Sequence, residues 1–324
     1  MEPVLELKNV SVTYKNAEKE VYAVRNVSLR IEKGDSLGIV GESGSGKSTL
    51  AMAVLRLLSE NSAVVEGEAM FGGRNLLAMS QEELRELRWT QLAVVFQKAM
   101  NSLSPVHRIG TQFEDIYRVH EPKASKAEIK KRVLELFKLV NLPERVYRLY
   151  PHEMSGGMLQ RTAIALSLLH NPKLLIFDEA TTALDVVTQG QILKEVVEME
   201  KTLDMTRIMI THDMSVVAVS CNKIAVMYAG EFMEVGMTKD VLSHPMHPYT
   251  KGLLQAFPSL KGEVNELKAI PGFLPDLSKK SAGCIFAPRC PYKTAACEQM
   301  KPEPVTLEDG RIVACLAVGG GKNE

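Results

Sequence analysis

Apolar and polar positions alternate at the start of the chain. Residues 4–8, 10–14 and 27–31 each place apolar side chains on one face, which predicts half-buried strands of an antiparallel sheet. Lys33-Gly34-Asp35 reads as a turn. A short apolar strand over 36–40, a Gly/Ser loop and a helix over 47 to about 58 follow. The later apolar runs at 92–96, 174–177 and 207–210 do not alternate, as expected of parallel strands covered on both faces. Ile129, Val133, Leu136, Phe137 and Val140 recur at helical spacing and predict a helix over 128–140; another is expected over 158–170. Residues 223–228 and 231–235 flank Ala229-Gly230, the pattern of a hairpin.

Beyond about residue 243 the pattern dissolves. Nine of the fifteen prolines lie there, with four of the five cysteines: Cys284, Cys290, Cys297 and Cys315. This predicts a small, loop-rich region that would gain from a staple. Composition adds mainly exclusions. With 324 residues, 45% hydrophobic and 24% charged, disordered and fibrous classes fall away. Lys+Arg and Asp+Glu are both 39, so there is no global field for nucleic acid or an anionic membrane. No run is long and apolar enough to span a bilayer, and the first residues lack a basic start and an apolar signal core. The chain is therefore expected inside the cell, at a membrane only if a partner holds it there.

Gly41-Glu42-Ser43-Gly44-Ser45-Gly46-Lys47-Ser48 fits G-x-x-x-x-G-K-[ST] between a predicted strand and a predicted helix. Glycines let successive backbone N–H groups turn toward phosphate oxygens, and the helix start adds positive potential. Lys47 suits the β and γ phosphates and Ser48 suits Mg²⁺. The apolar run 174–177 ends in Asp178 and Glu179. Asp178 suits Mg²⁺ through water, and Glu179 could polarise an attacking water. Ser155-Gly156-Gly157 precedes a helix and offers a second phosphate-binding start. One nucleotide does not need two, so this loop makes sense if it serves a nucleotide held by another subunit.

In these motifs the chain resembles the ATP-binding subunits of ABC transporters. The resemblance covers residues 1 to about 240, with seven motifs in order. Tyr14 stands where the family stacks an aromatic on adenine. Gly41 to Thr49 is similar to Walker A, with Gly41, Ser43, Gly44, Ser45, Gly46, Lys47, Ser48 and Thr49 as ATP contacts. Gln97 matches the Q-loop, with a role at Mg²⁺ and in catalysis. Ser155, Gly156 and Gly157 match the signature loop, with Met158 where most members have Gln. Asp178 and Glu179 match Walker B and the catalytic glutamate, Asp185 the D-loop, and His212 the switch histidine. The resemblance implies an α/β P-loop NTPase: a RecA-like core with a mainly parallel sheet, an antiparallel β subdomain and a helical subdomain at about 98–168. It also implies a head-to-tail dimer holding two ATP molecules with Mg²⁺, where Ser155 and Gly157 act in trans. No degenerate site is expected from this chain.

Further details resemble the oligopeptide/dipeptide importer branch. They are Met100 to Pro105 after Gln97, the stretch Glu179 to Val186 with Ala180 replacing Pro, and the tail segments His247-Pro248-Tyr249-Thr250, Ile270-Pro271-Gly272 through Pro275-Asp276-Leu277, and Gly283-Cys284 through Pro288-Arg289-Cys290-Pro291. The expected division is an ATPase domain at 1–242 and a C-terminal extension at 243–324. The cysteine spacing, C-x₅-C-x₆-C-x₁₇-C, suits Zn²⁺ or an iron–sulfur cluster by ligand softness alone. The resemblance favours a [4Fe–4S] cluster on Cys284, Cys290, Cys297 and Cys315. It also implies a second, homologous ATPase as heterodimer partner, two transmembrane permeases, an extracytoplasmic solute-binding protein and no nucleic acid. The expected place is the cytoplasmic face of the membrane. Peptides are the first cargo expected, with oligosaccharides, nickel chelates and glutathione-like molecules as others. The alternatives are a soluble ABC ATPase of DNA repair or translation, a small-molecule P-loop kinase, and a tail used for docking or redox sensing.

Overall fold

The structure is a computed structural model describing residues 3–15, 19–96, 102–181, 184–256 and 270–319. The chain divides into two compact units, one of residues 1–31, 35–77 and 210–324, the other of 32–34 and 78–209.

In the first unit, β1 (Leu5–Lys15), β2 (Glu20–Ile31), β4 (Ala63–Phe71) and β5 (Arg74–Asn75) form an antiparallel sheet in the order β2-β1-β4-β5. The two alternating runs at 4–8 and 10–14 are one strand. Asn9 sits between them at φ 51, and its N–H donates to Ser28 Oγ at 2.9 Å, so a bulge interrupts the register without ending the strand. A second sheet holds β3 (Ser36–Val40), parallel to β9 (Lys223–Tyr228), and β10 (Glu231–Met237), antiparallel to β9. Ala229 and Gly230 make the predicted turn at φ 48 and 88. All five residues of β3 are buried, as their unbroken apolarity predicts.

Helix α1 (Lys47–Val54) is shorter than the sequence predicts. Arg56 turns left-handed at φ 53, the Leu57 N–H reaches Met52 O at 2.9 Å and the Arg56 N–H reaches Ala53 O at 3.0 Å. This is a Schellman stop with Arg where Gly is usual, so residues 55–58 are not helical. The short helices α7 (Met214–Ser220), α8 (Thr238–Ser243) and α9 (Pro248–Gln255) follow.

The C-terminal stretch contributes α10 (Ala295–Gln299), β11 (Val305–Thr306), β12 (Ile312–Val313) and α11 (Leu316–Gly319). β12 pairs with β10, and β11 with β12. A buried carboxylate fixes this region. Glu234 of β10, 1% exposed, accepts from the Met246 and His247 N–H groups, and the Arg311 guanidinium stands 3.8 Å away.

His247 itself is buried. Its Nδ1 accepts from the Tyr249 N–H at 3.0 Å and caps α9. Burial pushes its pKa down to about 4; a hydrogen bond to Ala314 opposes this and the Lys251 charge adds to it. The unfolded chain therefore takes up this proton first as pH falls. Stability is full above about pH 6.5 and declines toward pH 4, with about 2 kcal/mol lost between pH 7 and pH 5. Urea midpoints at the two pH values check this. His247→Asn, which keeps a capping acceptor but cannot titrate, is expected to lose clearly less.

In the second unit, β6 (Leu92–Val95) and β7 (Leu174–Asp178) pair in parallel, with residues 206–209 of β8 (Thr206–Thr211), the part of that strand within this unit, next to β7. The helices are α2 (Gln81–Leu87), α3 (Ile109–His120), α4 (Lys126–Leu139), α5 (Gly156–Ser167) and α6 (Val186–Leu203). Ile129, Val133, Leu136 and Phe137 are buried on the predicted stripe of α4. Ser125 and Glu128 close its start as a capping box. Among the described residues no helix is long and apolar enough to cross a membrane.

Candidate active site

The phosphate-binding loop joins β3 to α1. Gly46 caps α1 at φ 102, and Gly44 lies at φ 80. The loop is held by its neighbours. Ser45 O accepts from the Gly230 N–H at 2.8 Å, and Gly230 O accepts from the Arg25 N–H at 2.8 Å. Lys47, 4% exposed, donates from Nζ to Gly41 O at 2.8 Å, Glu42 O at 2.9 Å and Ser45 Oγ at 3.3 Å. The ammonium thus lies inside the ring of loop carbonyls, where its charge meets any phosphate the loop binds. Ser43 and Gly44 are exposed, while Ser48 and Thr49 are half-buried at the helix start. Tyr14, near the end of β1, stands with its hydroxyl 3.3 Å from Thr49 Oγ1. The same unit carries His212, exposed, just after Thr211 ends β8 and before Asp213 caps α7.

The second unit carries the other motifs. Ser155 caps α5 through Met158 N–H at 3.3 Å, and Ser155 and Gly156 are exposed. Asp185 caps α6 through Thr188 N–H at 2.9 Å; the bonds to Thr188 hold its carboxyl below the usual carboxylate range. These two helix starts are adjacent. A Cβ on Gly157 would lie 3.0 Å from Thr188 Cγ2, and Arg161 of α5 forks onto Glu195 of α6 with two 3.0 Å bonds. The signature loop and D-loop are therefore one surface feature, a proximity that 28 residues of separation conceal in the sequence. Asp178 is buried at the end of β7. Glu179 is half-buried and left-handed at φ 49, unusual for a residue with a Cβ. Gln97, Met100, Asn101, Thr182 and Ala183 lie outside the described residues.

The four C-terminal cysteines require a correction. Cys290 caps the end of a 3₁₀ turn over Ala287–Arg289, and Cys284 O accepts from the Ala287 N–H at 3.0 Å. The Cys284 N–H meets Cys297 O at 2.8 Å, so the segments are neighbours. Yet among the described residues no three of His, Cys, Asp or Glu stand together as a group able to hold a metal ion. Burial pushes the Cys284 and Cys290 thiols up, away from thiolate, while hydrogen bonds from Thr294 pull Cys297 down. Neither the expected [4Fe–4S] cluster nor its Zn²⁺ alternative is supported.

Sequence reasoning also missed two contacts at the phosphate-binding loop. Arg289 Nη1 donates to both carboxylate oxygens of Glu42, at 3.0 and 2.9 Å, and the Glu42 N–H donates to Tyr249 Oη at 3.1 Å. Only the tail segments singled out by resemblance could have hinted at them.

The ABC transporter family model matches residues 24–182, and that of the oligopeptide/dipeptide transporter C-terminal region matches residues 233–297. The chain is 43% identical over 315 residues to the oligopeptide transport ATP-binding protein OppD of Salmonella typhimurium, covering 97% of this chain and 93% of that protein. It is 43% identical over 309 residues to the dipeptide transport ATP-binding protein DppD of Lactococcus lactis, covering 95% and 88%. Among solved structures, the ATP-binding cassette MJ0796, a post-hydrolysis dimer bound to ADP and Pi, superposes with a TM-score of 0.65 at 32% identity. The match covers 72% of this chain and 98% of that one.

Proposed function

This chain belongs to the ATP-binding subunits of oligopeptide/dipeptide ABC transporters, an ATPase family, and from that premise we propose that it drives peptide uptake by hydrolysing ATP at the interface with a second, homologous ATPase. The observation that carries the reading is the pairing of two phosphate-binding helix starts in one chain. The first is the loop around Lys47; the second is the exposed Ser155-Gly156 start beside Asp185. The second serves the ATP held by the partner. Val186 and Val187, 83% and 70% exposed at the start of α6, support an interface there, since two adjacent apolar residues gain from cover.

In this reading Lys47 and the N–H groups from Gly41 to Thr49 bind the phosphates, and Tyr14 stacks on the adenine. Ser48, Asp178 and Gln97 would hold Mg²⁺; hydroxyl, carboxylate and amide oxygens are the hard donors that ion takes. Held by these residues, the ion would supply positive charge against the phosphate oxygens. Glu179 orients and polarises water, His212 contacts the γ-phosphate, and Ser155, Gly156, Gly157 and Asp185 act across the interface. The reading includes two membrane permeases, an extracytoplasmic solute-binding protein and attachment at the cytoplasmic face.

Reconstitution with the permeases, partner ATPase and binding protein in liposomes tests it. Labelled oligopeptide is expected to accumulate only with ATP on the side of this subunit. Accumulation of an oligosaccharide but not of peptide reassigns the cargo. Co-purification with DNA or ribosomes in place of permeases, or a phosphorylated product, overturns the transport reading.

A further inference from the structure

Glu42 is an awkward residue for a loop that binds a triphosphate. It puts a negative charge into the sequence of a loop whose N–H groups must attract anions. A residue 247 positions later answers it. Arg289, its side chain 5% exposed, pairs with Glu42 through Nη1 at 3.0 and 2.9 Å. The rest of the guanidinium is fixed as well. Nε donates to Pro271 O at 2.9 Å, Nη2 donates to Ile270 O at 3.1 Å, and the group lies 5.6 Å from the centre of the Tyr228 ring. Tyr249 holds the Glu42 backbone from the same side. Leu274 approaches Gly44, 3.5 Å from where a Cβ would stand.

We propose that Arg289 is a positioning residue of the ATP site, acting through Glu42: it neutralises the carboxylate and turns it from the phosphates, so that the C-terminal extension sets this subunit's affinity for ATP. The geometry favours a charge role over simple packing. The arginine spends one nitrogen on both carboxylate oxygens and its other two on carbonyls of its own region, so it is held whether or not the loop is filled. Without it, Glu42 keeps its charge and loses its partner beside the incoming phosphates. The proposal rests on the ATPase reading above.

The test uses the full chain in its complex with the partner ATPase and permeases, with ATP as the probe. Arg289→Met is expected to raise KM for ATP about tenfold, some 1.4 kcal/mol, with kcat within about twofold of the wild type. Adding Glu42→Gln to Arg289→Met is expected to restore KM to within about twofold, since the unpaired charge is then gone. A purely structural role predicts no such rescue. Arg289→Lys, which keeps the charge but loses the fork, is expected to fall between. An Arg289→Met complex that assembles with an unchanged KM overturns the proposal, and so does a double variant as weak as the single one. A wild-type complex that hydrolyses no ATP instead overturns the underlying ATPase reading, and the proposal with it.

Discussion

Glu179→Gln is expected to bind ATP as the wild type does and to hydrolyse it about a thousandfold more slowly, the loss that follows removal of a general base. Glutamine has the shape of glutamate and keeps the surroundings, buried Asp178 before it and buried Ala180 after it. It cannot take a proton from water. Single-turnover hydrolysis alongside fluorescent-nucleotide binding checks both halves, and near-normal hydrolysis would remove Glu179 from its role. The backbone makes a second readout possible. At φ 49 a residue with a Cβ costs about 1–2 kcal/mol relative to glycine, so Glu179→Gly is expected to be inactive yet at least as stable as the wild type. A position that gains stability on losing its side chain is held for chemistry rather than for packing.

The parts of this site that the sequence makes legible are those whose physics is local. The phosphate-binding loop announces itself because glycine spacing, lysine and the following helix are contiguous. The β9–β10 hairpin does so because Ala229-Gly230 interrupts two apolar runs at one point. Helix α6, at 18 residues, goes unread although Ile192, Leu193, Val196 and Met199 form a buried stripe. The exposed Val186 and Val187 at its start blur the periodicity, and Gly190 sits inside it. Strand β4 is passed over for a similar reason. Gly67, at φ 93, bends Ala63–Phe71 where its register against β1 shifts, and breaks the alternation. Distance in sequence hides the rest. Nothing near Glu42 points to Arg289, and cysteine spacing says how far apart four thiols lie along the chain but not whether they meet in space.

Gly46→Ala is expected to weaken ATP binding by about a hundredfold or more, close to 3 kcal/mol, and to lower the melting temperature. Two effects add. The first is conformational: φ 102 with ψ 0 lies where an L side chain is strained, at a cost of about 1–3 kcal/mol. The second is contact. A Cβ at Gly46 would stand 2.3 Å from Ala23 O, a backbone atom of β2. That carbonyl belongs to the backbone of β2, between Tyr22 and Val24, which pair with Thr13 and Val12 of β1. Met227 Cε at 3.1 Å crowds the same space. The loop must therefore move, and with it Lys47, the next residue, whose ammonium holds three acceptors of the loop. Gly73→Ala separates strain from position. Gly73 has φ 77 and a Cβ there would meet nothing within 4 Å, so its replacement is expected to cost about 1 kcal/mol of stability and leave ATP affinity unchanged. Equal affinities for the Gly46→Ala chain and the wild type would mean that the loop tolerates displacement from the carbonyl ring, and that the grip of β2 on this turn does not set its phosphate-binding shape.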